Sequence, residues 1–214
     1  MGKLARFMGI FTQIYDTILI NLYFLIANCL FFQVFFAVDL ELTFLPLYYV
    51  TSLTLAPSIS ALLASKNVRQ KSSMSAVIGN FYRTVKKNGL IFFGLHTLLF
   101  FLIGNLYLLT GQGFGNQVLF VANLLLVLCV LLLIALIVKL SNQFQGRELI
   151  RQSLLALPKE SGKLLILFLV SGGVLIFAFQ LSFYAMLFIF GVLIKLWGLS
   201  LERSISYIGI SNKS

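Results

Sequence analysis

The sequence has little charge, and it has much less acid than base. Of its 214 residues only 10% are charged, and there are six acids for sixteen Lys and Arg residues, which gives a net charge of +10. About a quarter of the residues of an ordinary soluble domain are charged, so this composition excludes an ordinary soluble domain. The excess of base does not indicate nucleic-acid binding, because the bases flank long apolar runs and not a water-soluble fold.

Cysteine and catalytic motifs are also scarce. Cys29 and Cys129 lie inside apolar runs without CxxC or paired spacing, so they indicate neither a disulfide framework nor a metal site. The sequence contains no GxxxxGK(S/T), HExxH or GxSxG motif, and none of its acids lies in the middle of a predicted span. We therefore predict no catalytic residue, no cofactor and no metal, and we expect that the protein is not an enzyme.

Long apolar runs are what the sequence has in abundance. Its residues are 60% hydrophobic and its mean hydropathy is +1.01. A membrane-crossing helix needs about 20 mostly apolar residues. Four runs meet this need, and residues 163–201 suit either two short spans that turn at 180–182 or one span with a re-entrant piece. We predict an all-α membrane protein with one domain, residues 1–214, and six spans at 17–38, 42–64, 90–109, 118–138, 164–179 and 183–201.

The basic residues predict the orientation of these spans. With six spans, all sixteen bases lie on one face, whereas five spans would place three of them on the other. The positive-inside rule makes the basic face cytoplasmic. Both termini and two long loops, 65–89 and 139–163, are therefore predicted inside. The first residues lack a signal-cleavage pattern, so we expect the N-terminus to stay on the mature protein.

Each long loop predicts a short amphipathic helix on the cytoplasmic membrane surface. In the first loop, apolar residues recur from Met74 to Val85 at helical spacing, and Asn88 and Gly89 suit the end of the helix. In the second loop, Pro158 is expected to end the helix. We predict that the first helix contacts an acidic partner or anionic lipid through Phe81, Tyr82, Arg83, Lys86 and Lys87.

A line of small residues follows the second span at four-residue spacing: Ser52, Ala56, Ser60 and Ala64. Such a line lets helix backbones approach closely in lipid. It serves either packing within the chain or a seam for another subunit. Pro57 lies beside this line, belongs to the same candidate seam, and should kink the helix.

Polar residues within the spans allow two interpretations. His96 in the third span is either a packing residue or a proton-relay or ligand residue. The amide side chains either join helices or line a cavity for a polar solute; they are Asn21, Asn28, Gln33, Asn105, Asn123 and Gln180. Asp16 is expected to pair with Lys3 or Arg6, and Lys139 and Lys195 are expected to reach the membrane surface from helix ends.

Three segments carry a family resemblance: RFMGIFTQIYDTILINLYFLIANCLFF (6–32), LPLYYVTSLTLAPSISALLASK (45–66) and FYRTVKKN (81–88). They resemble the YesL-type family of small membrane proteins from Gram-positive bacteria, a family without an assigned activity. Its members carry a Gly-Pro-Ala-Thr-type segment where this chain has residues 55–62, and Leu55 stands here in place of the preceding glycine. The resemblance covers most of the first 110 residues and only the hydropathy pattern beyond them.

The resemblance implies a bacterial plasma membrane and a transport context. Members of the family are typically encoded beside binding-protein-dependent ABC importers for oligosaccharides, such as the raffinose type. The implied function is that of a non-enzymatic accessory subunit, with the permease subunits as direct partners and the ATPase and sugar-binding protein as indirect ones. A stand-alone small-solute permease is the alternative. A cell-envelope enzyme that uses the outer acids Asp39 and Glu41 ranks third.

Overall fold

The computed structural model describes residues 2–66, 74–110, 117–181 and 189–197, and every regular element within these ranges is helical. The all-α prediction is therefore confirmed. The elements are α1 Gly2–Ala27, α2 Cys29–Ala37, a 3-10 turn Leu42–Phe44, α3 Leu45–Ser52, α4 Leu55–Lys66, α5 Met74–Thr110, α6 Gln117–Leu140, α7 Gly146–Leu181 and α8, residues 189–197.

Four helical stretches within these ranges are long and apolar enough to cross a membrane: Leu42–Ala64, Ser75–Thr110, Gln117–Leu140 and Gly146–Ala178. The bent pair Ile14–Ala27 and Cys29–Ala37 adds a fifth if it forms one span. These helices are what an integral membrane protein requires. Six spans and cytoplasmic termini stay predictions, since only residues 189–197 of the sixth predicted span are described as helical.

The two basic loops are not separate surface helices, and that prediction is wrong. Helix α5 passes through Asn88 and Gly89 without a break, and α7 continues past Pro158. A proline inside a helix costs about 3 kcal/mol, but α7 packs against α6 on both sides of it, through Leu149 and Leu164. With 37 and 36 residues, α5 and α7 are each about 55 Å long, whereas the hydrocarbon core is about 30 Å thick.

Helices α4 and α6 form the centre of the molecule, and α5 and α7 are mostly exposed around them. One core cluster joins α6 to α7 around Leu136, and a second joins α5, α6 and α7 around Ile137. A third brings Phe24 of α1 and Leu62 of α4 against Ile194 of α8. Exposed apolar side chains on the outer helices face the surroundings, as expected where lipid replaces water.

Two of the predicted spans are broken helices. The first, 17–38, bends by 75° at Asn28 between α1 and α2, so a single helix over that range is wrong. The second breaks at Leu53 and Thr54 between α3 and α4. Pro57 has no N–H to donate to the carbonyl of Leu53, four residues earlier. The helix is therefore interrupted beside Pro57, where the kink was predicted, while Leu42–Ala64 stays one apolar stretch.

Helix α8 approaches α1 closely at Gly191. The Gly191 N–H donates to the Asn21 Oδ1 at 2.9 Å. A Cβ at Gly191 would lie 2.5 Å from the Thr17 carbonyl oxygen and 2.9 Å from the Asn21 Cβ. The contact therefore depends on the missing side chain.

We expect Gly191→Ala to lower the melting temperature of the purified protein, because the added methyl group has no space and α8 must shift. Such overpacking costs about 1–3 kcal/mol. The matched control is Gly173→Ala on α7, where nothing lies within 4 Å of an added Cβ. The melting temperature of the control should stay the same or rise. An equal loss in both variants would contradict the close approach of α8 to α1 at Gly191.

Candidate functional site

The side chain of Asn28 joins the two broken helices. It is 1% exposed, and its Nδ2 donates to the Phe24 carbonyl at 2.8 Å and to the Ser58 Oγ at 2.9 Å. The Thr54 hydroxyl donates to the Asn28 Oδ1 at 2.8 Å. We call Asn28, Thr54 and Ser58 the asparagine joint. It places the α1–α2 break beside the α3–α4 break and gives each polar side chain a partner, as a site without water requires.

An open groove of about 300 Å³ lies next to the asparagine joint. Its walls come from α1, α4 and the first turns of α5, and its lining is almost wholly apolar. Thr54 and Ser58 contribute to the lining, but their hydroxyls are bonded to Asn28 and to a backbone carbonyl. Ile26 and Ile78 at the groove are 50% and 56% exposed. The groove therefore presents apolar side chains to whatever lies beside the helices.

A second buried polar cluster joins α4, α5 and the α6–α7 turn. The hydroxyls of Ser60 and Ser141 are 2.5 Å apart. The Asn88 Nδ2 donates to the Ser141 carbonyl at 3.2 Å, and the Gly146 N–H donates to the Asn88 Oδ1 at 3.2 Å. Gly146 has a φ of +58°, which favours glycine in this turn.

Sequence reasoning assigned Asn88 to a helix end and missed its role in this cluster. The signal was present as a four-residue repeat along α5. Thr84, Asn88 and Phe92 are all buried, and His96 continues the same line. A polar residue on the stripe that a helix turns toward its neighbours is expected to bond one of them.

His96 occupies a packing position between α3 and α5. Its Nε2 lies 3.1 Å from the Ser52 Oγ and 3.1 Å from the Tyr49 carbonyl oxygen. A carbonyl only accepts, so Nε2 carries the hydrogen. The imidazole also lies 4.8 Å from the Phe100 ring and 5.2 Å from the Tyr49 ring. These contacts favour the packing interpretation over a proton relay.

The line of small residues faces the chain's own helices. Ser52 and Ser60 are buried against His96 of α5 and Ser141. Pro57 is buried, Ala56 packs against the second core cluster, and Ala64 is half-buried. Packing within the chain therefore uses these positions, which favours that interpretation over a seam for another subunit.

Lys139 and Glu160 form a buried ion pair between α6 and α7. Their charged atoms lie 3.5 Å apart, and the side chains are only 2% and 11% exposed. Lys139 therefore does not reach the membrane surface, and that prediction is wrong. The Lys195 Nζ donates to the Thr17 hydroxyl at 2.5 Å and interacts with the nearby Asp16 carboxylate. The expected partners of Asp16, Lys3 and Arg6, have side chains outside the described set.

The residues predicted to contact a partner divide into two groups. Phe81 is half-buried and lines the groove. Tyr82 is 70% exposed, and Arg83, Lys86 and Lys87 are exposed as well. Tyr82 and Lys86, like Arg83 and Lys87, are four residues apart, so the four form a continuous patch on α5. We call these four residues the α5 basic face.

No family model, no curated protein and no solved structure matches this chain. In the described ranges, no three His, Cys, Asp or Glu side chains converge as a metal site would require.

We expect Asn28→Leu to lower the melting temperature, because Thr54 loses an acceptor and Ser58 a donor in a place without water. An unsatisfied buried group costs about 1–3 kcal/mol. Gln33→Leu is the control, since Gln33 is exposed on α2, and it should have almost no effect. A neutral Asn28 variant would show that the two breaks hold without the asparagine joint.

Glu160→Gln should destabilise the protein by about 3–5 kcal/mol, because it leaves the Lys139 charge buried without its partner. The double change Lys139→Met with Glu160→Leu should restore most of the melting temperature. Glu148→Gln serves as the control, since Glu148 and Arg151 form an exposed pair and such pairs contribute little. If the double variant is as unstable as the single one, the charges are not paired in the folded protein.

Proposed function

We propose that this chain is a non-enzymatic accessory subunit that packs beside the permease subunits of a carbohydrate ABC importer and docks through the α5 basic face. The observation that carries the proposal is an exposed aromatic and basic patch on a helix that continues directly into a membrane-crossing segment. The importer itself is named because of the resemblance to the YesL-type family.

The position of the α5 basic face suits contact with a neighbouring membrane protein. Helix α5 is about 25 Å longer than the hydrocarbon core is thick, so part of it extends beyond the core. The inward side of this part, with Thr84 and Asn88, is buried against the chain. Its outward side presents Tyr82 and the three bases. Tyrosine and arginine are enriched where protein partners meet.

The charge of this patch favours an acidic partner. The sequence contains no acid between Glu41 and Glu148. The ion pairs among the described residues join Lys139 to Glu160 and Arg151 to Glu148, and neither uses the α5 basic face. Complementary charge on a partner would speed association and fix its orientation. Anionic lipid competes for the same bases, at about 1 kcal/mol for each one.

A stand-alone small-solute permease is the second candidate, and the asparagine joint favours it. Discontinuous helices that meet at membrane depth are a recurrent setting for the binding sites of secondary transporters. Here two broken helices are tied together by one side chain. Uptake of labelled sugars into vesicles that contain only this protein would support the permease and would contradict an accessory role.

The charge reversal Arg83→Glu, Lys86→Glu and Lys87→Glu should reduce the recovery of permease subunits with the tagged protein from native membranes. We expect a loss of about tenfold, which corresponds to about 1.4 kcal/mol. Proteins recovered in mild detergent are identified by mass spectrometry.

The matched control reverses three exposed bases of α7, namely Arg147, Arg151 and Lys159. It changes the net charge by the same amount and should leave the recovery unchanged. Equal losses in both variants would show that overall charge, and not the α5 basic face, retains the partner. Recovery of this chain alone with the unchanged protein would contradict the accessory function.

A further inference from the structure

We propose that α1 lies along the cytoplasmic surface of the membrane and inserts its exposed apolar side into the boundary between lipid headgroups and acyl chains. Only α2 then carries the chain into the hydrocarbon core. This orientation does not depend on the proposed importer. It follows from three features of α1: the level at which it ends, its direction, and the side that it leaves exposed.

Helix α1 ends at the level where α5 passes from basic to apolar residues. Ser60 of α4 and Asn88 of α5 both bond Ser141, so the two helices are level at these residues. Asn28, which follows α1, bonds Ser58, about 3 Å along α4 from Ser60. On α5, two lysines directly precede Asn88 and a long apolar run begins just after it. With the bases inside, as the positive-inside rule predicts, this level is the cytoplasmic edge of the hydrocarbon core.

Helix α2, and not α1, follows the direction in which the chain crosses the membrane. Asn28 at the start of α2 bonds Ser58, and the Val38 carbonyl at its end accepts a hydrogen bond from Tyr48. The two contacts are ten residues apart on both segments, as in antiparallel neighbours, and the second segment belongs to the membrane-crossing stretch Leu42–Ala64. Because α1 makes an angle of 75° with α2, it runs close to the plane of the membrane.

The exposed side of α1 is largely apolar. Large apolar side chains recur on it every three or four residues and are 44–64% exposed: Met8, Phe11, Tyr15, Ile18, Leu22 and Ile26. We call these six residues the α1 apolar stripe. The other side of α1 is turned to the chain and carries polar contacts with α8, in which Asn21 accepts from Gly191 and Thr17 from Lys195. A surface helix in water has the reverse arrangement, with its apolar side toward the protein.

The α1 apolar stripe continues into a surface that faces lipid. Ile26 at its end is followed four residues later by Leu30 of α2, which is 64% exposed, and then by Phe35, which is 43% exposed. Since α2 passes into the hydrocarbon core, this exposed side of α2 meets acyl chains. The stripe is continuous with it and reaches the edge of the same core. A helix with one apolar side at this level binds the membrane surface without crossing it.

The test measures the depth of spin labels in the membrane. Depth is obtained from the collision rates of each label with oxygen, which concentrates in lipid, and with a water-soluble nickel chelate. Cys29→Ala and Cys129→Ala remove the native thiols, both of which are exposed. The protein is reconstituted in vesicles of phosphatidylcholine and phosphatidylglycerol. The labelled positions on the α1 apolar stripe are Phe11→Cys, Tyr15→Cys, Ile18→Cys and Leu22→Cys.

The matched control is a pair of labels on α7, at Ile166→Cys and Phe177→Cys. Both residues are 62% exposed, they belong to a membrane-crossing stretch, and they are separated by eleven residues, as positions 11 and 22 are. Labelled variants are compared only if their melting temperatures match that of the cysteine-free protein.

We expect the depths at positions 11 and 22 to differ by less than about 5 Å, because a helix about 15° from the membrane plane changes depth by about 4 Å over eleven residues. The two control positions should differ by about 15 Å, as in a crossing helix with a tilt of about 20°. All four labels on the stripe should collide more often with oxygen than with the nickel chelate.

A steady change of depth by about 15 Å from position 11 to position 22 would overturn the proposal, since α1 would then cross the membrane. More frequent collision with the nickel chelate would place the stripe in water and would overturn it as well. Little collision with either reagent would show that protein covers the stripe, and a second copy of this chain would then replace lipid as the occupant.

Discussion

A backbone polar group in hydrocarbon must find its hydrogen-bond partner inside the protein, and this constraint shapes the whole structure. Asparagine side chains lie at several points where the helices of this chain break, turn or meet. Asn28 bridges the two helix breaks, Asn88 holds the α6–α7 turn, and Asn21 receives the N–H of Gly191. Asn123 donates to the Leu102 carbonyl between α6 and α5. Among the described residues, every buried polar side-chain atom has a partner.

The same constraint explains why the outer helices run so long. An uninterrupted helix satisfies its own backbone as it leaves the bilayer, so α5 and α7 carry their spans into the basic segments without a break. The α5 basic face is then a direct extension of a membrane helix and moves with it. A partner bound there would act on the same helix that carries His96 and Asn88, which bond Ser52 of α3 and the α6–α7 turn.

Part of the candidate site was predictable from the residues alone. The helix break beside Pro57 follows from a missing N–H, and exposure of Arg83, Lys86 and Lys87 follows from charge and helical spacing. Asn28 was recognised as a polar residue in a span, but its partners are 26 and 30 residues away. Periodicity gives no information on such distant contacts. The continuous helix through Pro158 was missed because tertiary packing outweighs a local preference.

The sequence by itself determined the class of structure, because an apolar run of about 20 residues has the length to cross a membrane and satisfies its own backbone hydrogen bonds there as a helix. It also determined which charges lie at the ends of those helices. Only the tertiary structure decided which polar residues meet. In the tertiary structure the small-residue line faces the chain's own helices, Lys139 is buried against Glu160, and a groove lies between α1, α4 and α5. These outcomes depend on how helices rotate and cross, and that is fixed by packing among residues far apart in the chain.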